Sequence, residues 1–154
     1  EASVLYITRS GMSLNMDISD ISVTGRVTAG VKGISLEEED SVVFARQITE
    51  EGEIGVWSEK GYAKRSLAVD YELQMRARKG LKTFDFRKNG SNGTRIAGAV
   101  YVKEPVDVLA VHATGEVEVF NSENIFIEAR LSAGKPYALA VMGDEIVEVL
   151  PLLL

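Results

Sequence analysis

Three glycine pairs held in one register limit what this chain can fold into. Gly11, Gly61 and Gly115 are each followed 19 residues later by a second glycine, at Gly30, Gly80 and Gly134. Four residues before each second glycine stands an arginine: Arg26, Arg76 and Arg130. The first glycines are 50 and 54 residues apart, so the chain reads as three copies of one unit, each unable to bury its apolar face alone. The approximate units are 1–48, 49–102 and 103–154, within a single domain. The longer spacing places the added residues in Arg87-Lys88-Asn89-Gly90-Ser91-Asn92-Gly93-Thr94-Arg95, whose two Asn-Gly pairs predict a tight hairpin. The first unit has Glu37-Glu38-Glu39-Asp40 at that point, as expected of loop tips that face solvent.

Each unit has β texture. Val4-Leu5-Tyr6-Ile7, Ile54-Gly55-Val56-Trp57 and Val108-Leu109-Ala110-Val111 precede the first glycines, where a hairpin needs positive φ. Val42-Val43-Phe44-Ala45, Ala99-Val100-Tyr101-Val102 and Ile146-Val147-Glu148-Val149 close the units. Only Ser66 to Lys79 invites a helical turn. About four short strands per unit of about 50 residues is the pattern of a propeller blade or related radial array, an all-β fold. The apolar tail to Leu154 is expected to close a ring on the first unit or to meet another domain.

The charge is segregated. The chain carries −6 overall, yet between Lys60 and Arg95 ten basic residues stand against three acidic ones, so this stretch is +7 and the remainder −13. One surface would then attract phosphate and others repel it. No apolar run approaches the roughly 18 residues of a membrane span. Cysteine is absent, which excludes disulfides and thiolate metal sites and fits a reducing cytoplasm. The start, Glu1-Ala2-Ser3-Val4-Leu5, has neither an initiator Met nor a basic leader, the expectation for a piece of a longer polypeptide.

Lys60-Gly61-Tyr62-Ala63-Lys64-Arg65, followed by Arg76-Ala77-Arg78-Lys79-Gly80-Leu81-Lys82, resembles the repeat of the C-terminal domain of DNA gyrase A and topoisomerase IV A subunits. Arg26-Val27-Thr28-Ala29-Gly30-Val31-Lys32-Gly33-Ile34 is similar to the same motif. The resemblance is strong in the first two units and weaker in the third. It implies a β-pinwheel of about three blades, a disc whose blades exchange strands and whose basic rim bends double-stranded DNA. It also implies, as partners, the rest of the A subunit, with an ATPase B subunit, in a bacterial, chromosome-associated enzyme. ATP and magnesium would belong to that parent enzyme, and this domain would need no cofactor. The gyrase heptapeptide Gln-Arg-Arg-Gly-Gly-Lys-Gly is absent. Its nearest counterpart, Thr24 to Gly33, keeps one arginine, one lysine and the glycines, which points towards topoisomerase IV or a gyrase-like paralogue and away from strong supercoiling.

The DNA contacts expected are Lys60, Lys64, Arg65, Arg76, Arg78, Lys79, Lys82, Arg87, Lys88 and Arg95, supported by Arg26 and Lys32. About six phosphate contacts would give a log–log salt slope of about −5. Because Arg26, Arg76 and Arg130 recur in every unit, a structural role is as well founded for them as a DNA contact. His112, the single histidine, falls at a strand end where Thr8 and Ser58 stand in the other units, a structural position. Trp57 aligns with Ile7 and Val111 and reads as core. With one histidine, no cysteine and no Gly-x-Ser-x-Gly elbow or phosphate loop, no catalytic constellation can be assembled. The competing reading is a propeller-like protein-interaction module with little DNA affinity, which the net charge supports.

Overall fold

The computed structural model describes residues 2–153. Eleven strands form three sheets. In the first unit, β1 (Ser3–Thr8), β2 (Met12–Asp17) and β3 (Val42–Ile48) pair in the order β3-β1-β2. In the second, β4 (Glu53–Ser58), β5 (Tyr62–Leu67) and β7 (Ile96–Val102) pair as β5-β4-β7, and in the third β8 (Asp107–His112), β9 (Val117–Asn121) and β11 (Ile146–Pro151) pair as β11-β8-β9. All pairings are antiparallel. The central strand of each sheet is the apolar run that ends in the first glycine. Gly61 turns the β4–β5 hairpin with φ +83° and packs so tightly on the Ala138 carbonyl that a Cβ would overlap it.

The outer edges are shared between units. The short strand β6 (Leu81–Lys82) comes from the second unit but pairs with β2 of the first, with Met12 opposite Lys82 and Ser13 opposite Leu81. Likewise β10 (Lys135–Pro136), from the third unit, pairs with β5 of the second, with Tyr62 opposite Pro136 and Ala63 opposite Lys135. Each glycine ahead of these strands is a place of close approach. A Cβ on Gly80 would overlap the Ser13 carbonyl, and one on Gly134 would lie 2.9 Å from that of Ala63. The first two sheets thus have four strands, and the third has three among the described residues.

The core lies between the sheets rather than within any one of them. Leu5, Ile7, Ile48, Ile54, Val56, Tyr71, Phe84 and Ile96 join the first sheet to the second. Trp57, Val100, Val102, Val108, Ile125, Ile146 and Val149 join the second to the third. Trp57 is a core residue, 1% exposed, with the Phe120 and Tyr137 rings at 5.1 and 6.2 Å. No core cluster among the described residues joins the first sheet to the third. In the tail, β11 lies on β8 and packs against β7, where Gly98 leaves room for Val149.

Two local expectations need correction. The segment Ser66 to Lys79 holds only one 3-10 turn, Ala68–Asp70, which recurs at Ile18–Asp20 and Ser122–Asn124 after the second strand of each blade. The Asn-Gly stretch is not a hairpin between paired strands. It makes two successive turns with Gly90 and Gly93 at positive φ. Buried Asn92 organises the loop by accepting from the Arg87 amide and donating to the Asp85 and Ala133 carbonyls. That side-chain bracket satisfies backbone groups which a hairpin would have paired with each other.

Candidate nucleic-acid interface

The twelve basic side chains expected at DNA divide into two groups. Lys64, Arg65 and Arg95 hold the second blade to the third. Lys64, whose side chain is fully buried, donates to the carbonyls of Ala129, Arg130 and Ser132 at 3.0, 2.5 and 3.0 Å. Three acceptors match the three protons of an ammonium. Burial pushes its pKa down to about 7, opposed by the nearby Glu128 carboxylate. Arg65 pairs with Glu53 at 2.6 Å and donates from Nε to the Ile125 carbonyl at 2.7 Å. Arg95 pairs with Glu145 of the third unit and lies 3.7 Å from Glu59. Lys64 is therefore not a phosphate contact, and Arg65 and Arg95 have their charges committed within the protein. The third unit is acidic and turns its carbonyls towards the second, so basic residues at this seam are drawn inward.

The other nine are exposed: Lys60, Arg76, Arg78, Lys79, Lys82, Arg87, Lys88, Arg26 and Lys32. Some of them are brought together where the first two units overlap. Arg76 donates to the Lys32 carbonyl at 3.0 Å, and Arg78 forms a parallel bridge with Ile34. Lys79 pairs with Glu37 at 2.5 Å, and this hydrogen bond raises its pKa. A second group sits at the hairpin end of the second blade. There the loop carrying Arg87 and Lys88 is drawn onto the β4–β5 turn by Glu59, which accepts from the amides of Thr94 and Arg95. That turn carries Lys60. Lys82 lies beside Met12 near the turn of the first hairpin, and exposed Arg9 of that turn accepts at its carbonyl from the Ile96 amide. Arg9 was missed by sequence reasoning because it lies far from the basic run between Lys60 and Arg95 and outside the repeat motif that carries Arg26 and Lys32.

Two of the three recurrent arginines make seam bonds. Arg76 donates to the carbonyl of Lys32, and Arg130 donates to that of Lys82, the equivalent position one repeat later, as well as to that of Asp70. For these two the fixed register has a structural cause: each ties its unit to the one before, whereas Arg26 of the first unit is exposed and makes no such bond among the described residues.

His112 also gains partners that no motif signalled. It is 6% exposed, with Nδ1 2.6 Å from Asp144 Oδ2 and Nε2 2.6 Å from Glu118 Oε2. The hydrogen bond with Glu118, followed by Asp144, raises its pKa above 6.5 against the opposing effect of burial. A base whose folded pKa is raised stabilises the fold fully below its unfolded pKa, and that contribution fades as pH climbs through the folded value. Thermal melts between pH 5.5 and 8.5 (roughly the span of histidine titration) should show the native chain losing stability relative to His112→Gln as pH rises. Parallel pH profiles would remove the ion pair from the account.

The arrangement of exchanged edge strands and repeated seam arginines coincides with a family match. The family described as the DNA gyrase C-terminal domain, beta-propeller, matches residues 2–49 and 58–92. This chain belongs to the DNA gyrase A C-terminal domain family. It is 29% identical over 148 residues to the DNA gyrase A protein of Chlamydia trachomatis, covering 96% of this chain and 17% of that protein. It is 31% identical over 137 residues to the DNA gyrase A protein of Thermotoga maritima, covering 87% and 16%. Among solved structures, the C-terminal domain of DNA topoisomerase IV superimposes with a TM-score of 0.89 at 25% identity, covering 97% of this chain and 46% of that one. The DNA gyrase A C-terminal domain superimposes with a TM-score of 0.86 at 22% identity, covering 99% and 51%. The chain thus spans about one sixth of the gyrase A proteins and about half of the solved C-terminal domains. The β-pinwheel is the fold of this gyrase A C-terminal unit, and no helix among its described residues is long and apolar enough to cross a membrane.

Proposed function

We propose that this β-pinwheel holds double-stranded DNA for a type II topoisomerase through sequence-independent phosphate contacts, without catalysing a reaction itself. The observation that carries the reading is the set of exposed basic side chains on the second unit and its overlap with the first. Of these, Lys60, Lys82, Arg87, Lys88 and Lys32 make no ion pair among the described residues. Lysine and arginine at a surface release counterions from the duplex and position it without reading bases. The acidic third unit would confine the duplex to the first two blades and keep affinity modest. The three units 1–48, 49–102 and 103–154 act as one domain in this reading. Its partners are the ATPase B subunit together with the rest of the A subunit. ATP and magnesium serve the parent enzyme, and its place is the bacterial chromosome in the cytoplasm. The missing heptapeptide supports holding over tight wrapping.

Fluorescence anisotropy with a labelled duplex across a salt series tests this. With about six phosphates neutralised, log K should fall against log salt with a slope of about −5, and duplexes of unrelated sequence should bind alike. No binding to long duplex at low salt would favour the competing reading, a protein-interaction module whose support is the net charge of −6.

A further inference from the structure

The loop between Asp85 and Ile96 places two Asn-Gly pairs in contrasting surroundings. Of the chain's asparagines only Asn89 and Asn92 precede a glycine. An asparagine before glycine is open to attack on its side-chain carbonyl by the next backbone nitrogen, because glycine has no side chain to block the approach. The two glycine amides stand alike, each donating to the carbonyl three residues back: Gly90 to Arg87 at 2.9 Å and Gly93 to Gly90 at 3.1 Å. The asparagine side chains differ. Asn92 is fully buried, with Oδ1 accepting from the Arg87 amide and Nδ2 donating to the Asp85 and Ala133 carbonyls. Three bonds fix its amide group, and burial shuts out water. Asn89 is exposed, and its Nδ2 makes no hydrogen bond among the described residues. Its Oδ1 accepts from the Ser91 amide at 3.0 Å, an Asx turn that folds the side-chain carbonyl over the intervening Gly90 nitrogen and polarises it. The neighbouring cations Arg87 and Lys88 favour the amide anion that attacks.

We propose that Asn89 is a site of spontaneous deamidation and that Asn92, in the same loop, is spared. The Gly90 nitrogen gives up its proton and bonds to Asn89 Cγ. The Cγ–Nδ2 bond then breaks, and the amino group leaves with a proton as ammonia. The succinimide so formed adds one water, which opens either of its two carbonyls to give aspartate or the β-linked isoaspartate. Water is the only co-reactant, and nothing is oxidised or reduced. Either product sets a new carboxylate beside Arg87 and Lys88, on the loop that Glu59 draws onto the turn carrying Lys60. Isoaspartate also lengthens the backbone by a methylene, directly before Gly90 at φ +73°. The modification stands on the loop's own geometry. Its consequence rests on the DNA-holding reading: the added negative charge cancels attraction at this loop, so the hold on duplex weakens as the protein ages.

Incubation of the 154-residue chain in mildly alkaline buffer, followed by pepsin digestion in acid and mass spectrometry, tests the proposal. Acid halts the reaction, and fragmentation of the loop peptide assigns the amide-to-acid mass gain to one asparagine or the other. In the native chain the gain should accumulate at Asn89 while Asn92 stays intact. In denaturant both should react at comparable rates, since the bonds that distinguish them are gone. No gain at Asn89, or equal gain at both positions in the native chain, would overturn the proposal. Duplex affinity of Asn89→Asp is a separate readout. It should fall on the order of tenfold near 50 mM salt if the new carboxylate cancels one phosphate contact. Unchanged affinity, with Asn89 modified in the native chain, would overturn the loop's part in holding DNA and uphold the deamidation.

Discussion

Reversing Lys60, Lys82, Arg87 and Lys88 to glutamate is expected to abolish duplex binding at low salt while leaving the melting temperature nearly unchanged. All four side chains are exposed and none makes an ion pair or side-chain hydrogen bond among the described residues, so the fold loses little by their replacement. If each neutralises one phosphate, removing four of about six contacts reduces the salt slope from about −5 to about −2, a loss on the order of 100-fold or more near 50 mM salt. The reversed charges add repulsion on top of that loss. The same reversal at Arg46 and Lys103, on β3 and just after β7, should cost only a few-fold. Unchanged binding in the fourfold variant would move the duplex elsewhere. Lys64 and Arg65 are the wrong residues for this experiment, since glutamate there would break the seam between the second and third blades.

Lys64→Met is expected to lower stability by about 3 kcal/mol, equivalent to a fall in melting temperature of about 10 °C for a domain of this size. Two effects oppose each other. Removing a buried ammonium relieves its desolvation, which is why burial holds its pKa near 7. The change also strands the carbonyls of Ala129, Arg130 and Ser132, each costing about 1–3 kcal/mol when left without a partner. Three stranded acceptors outweigh one relieved charge. The native chain should also gain stability from this group between pH 7 and 10.5, because the folded state releases the proton there while the unfolded chain keeps it. That rise should vanish in the variant. DNA affinity of the folded variant should match the native chain, because the ammonium never reaches solvent. A variant that melts normally but loses DNA would return Lys64 to the interface.

Lys60 and Lys64 show what was legible in the sequence. The register of Gly11, Gly61 and Gly115 with the later arginines revealed the repeat, since hairpin turns and seam bonds recur whenever a unit does. The run from Lys60 to Arg95 revealed the segregated charge. Charge alone does not reveal direction: Lys64 and Lys60 are four residues apart on one hairpin, yet one is buried in a seam and the other exposed. What decides is the neighbouring unit, whose carbonyls and carboxylates arrive from 60 or more residues along the chain. The pairing of His112 with Asp144 was hidden for the same reason, being made across 32 residues. The recurrent arginines were ambiguous until Arg76 and Arg130 were seen on equivalent carbonyls.

Mass-spectrometric footprinting of lysine acetylation, with and without duplex, tests the central claim most directly. Bound DNA should protect Lys32, Lys60, Lys82 and Lys88 while Lys103 reacts as before. Protection confined to Lys103, or none at a duplex concentration that saturates binding, would contradict a DNA-holding surface on the second blade.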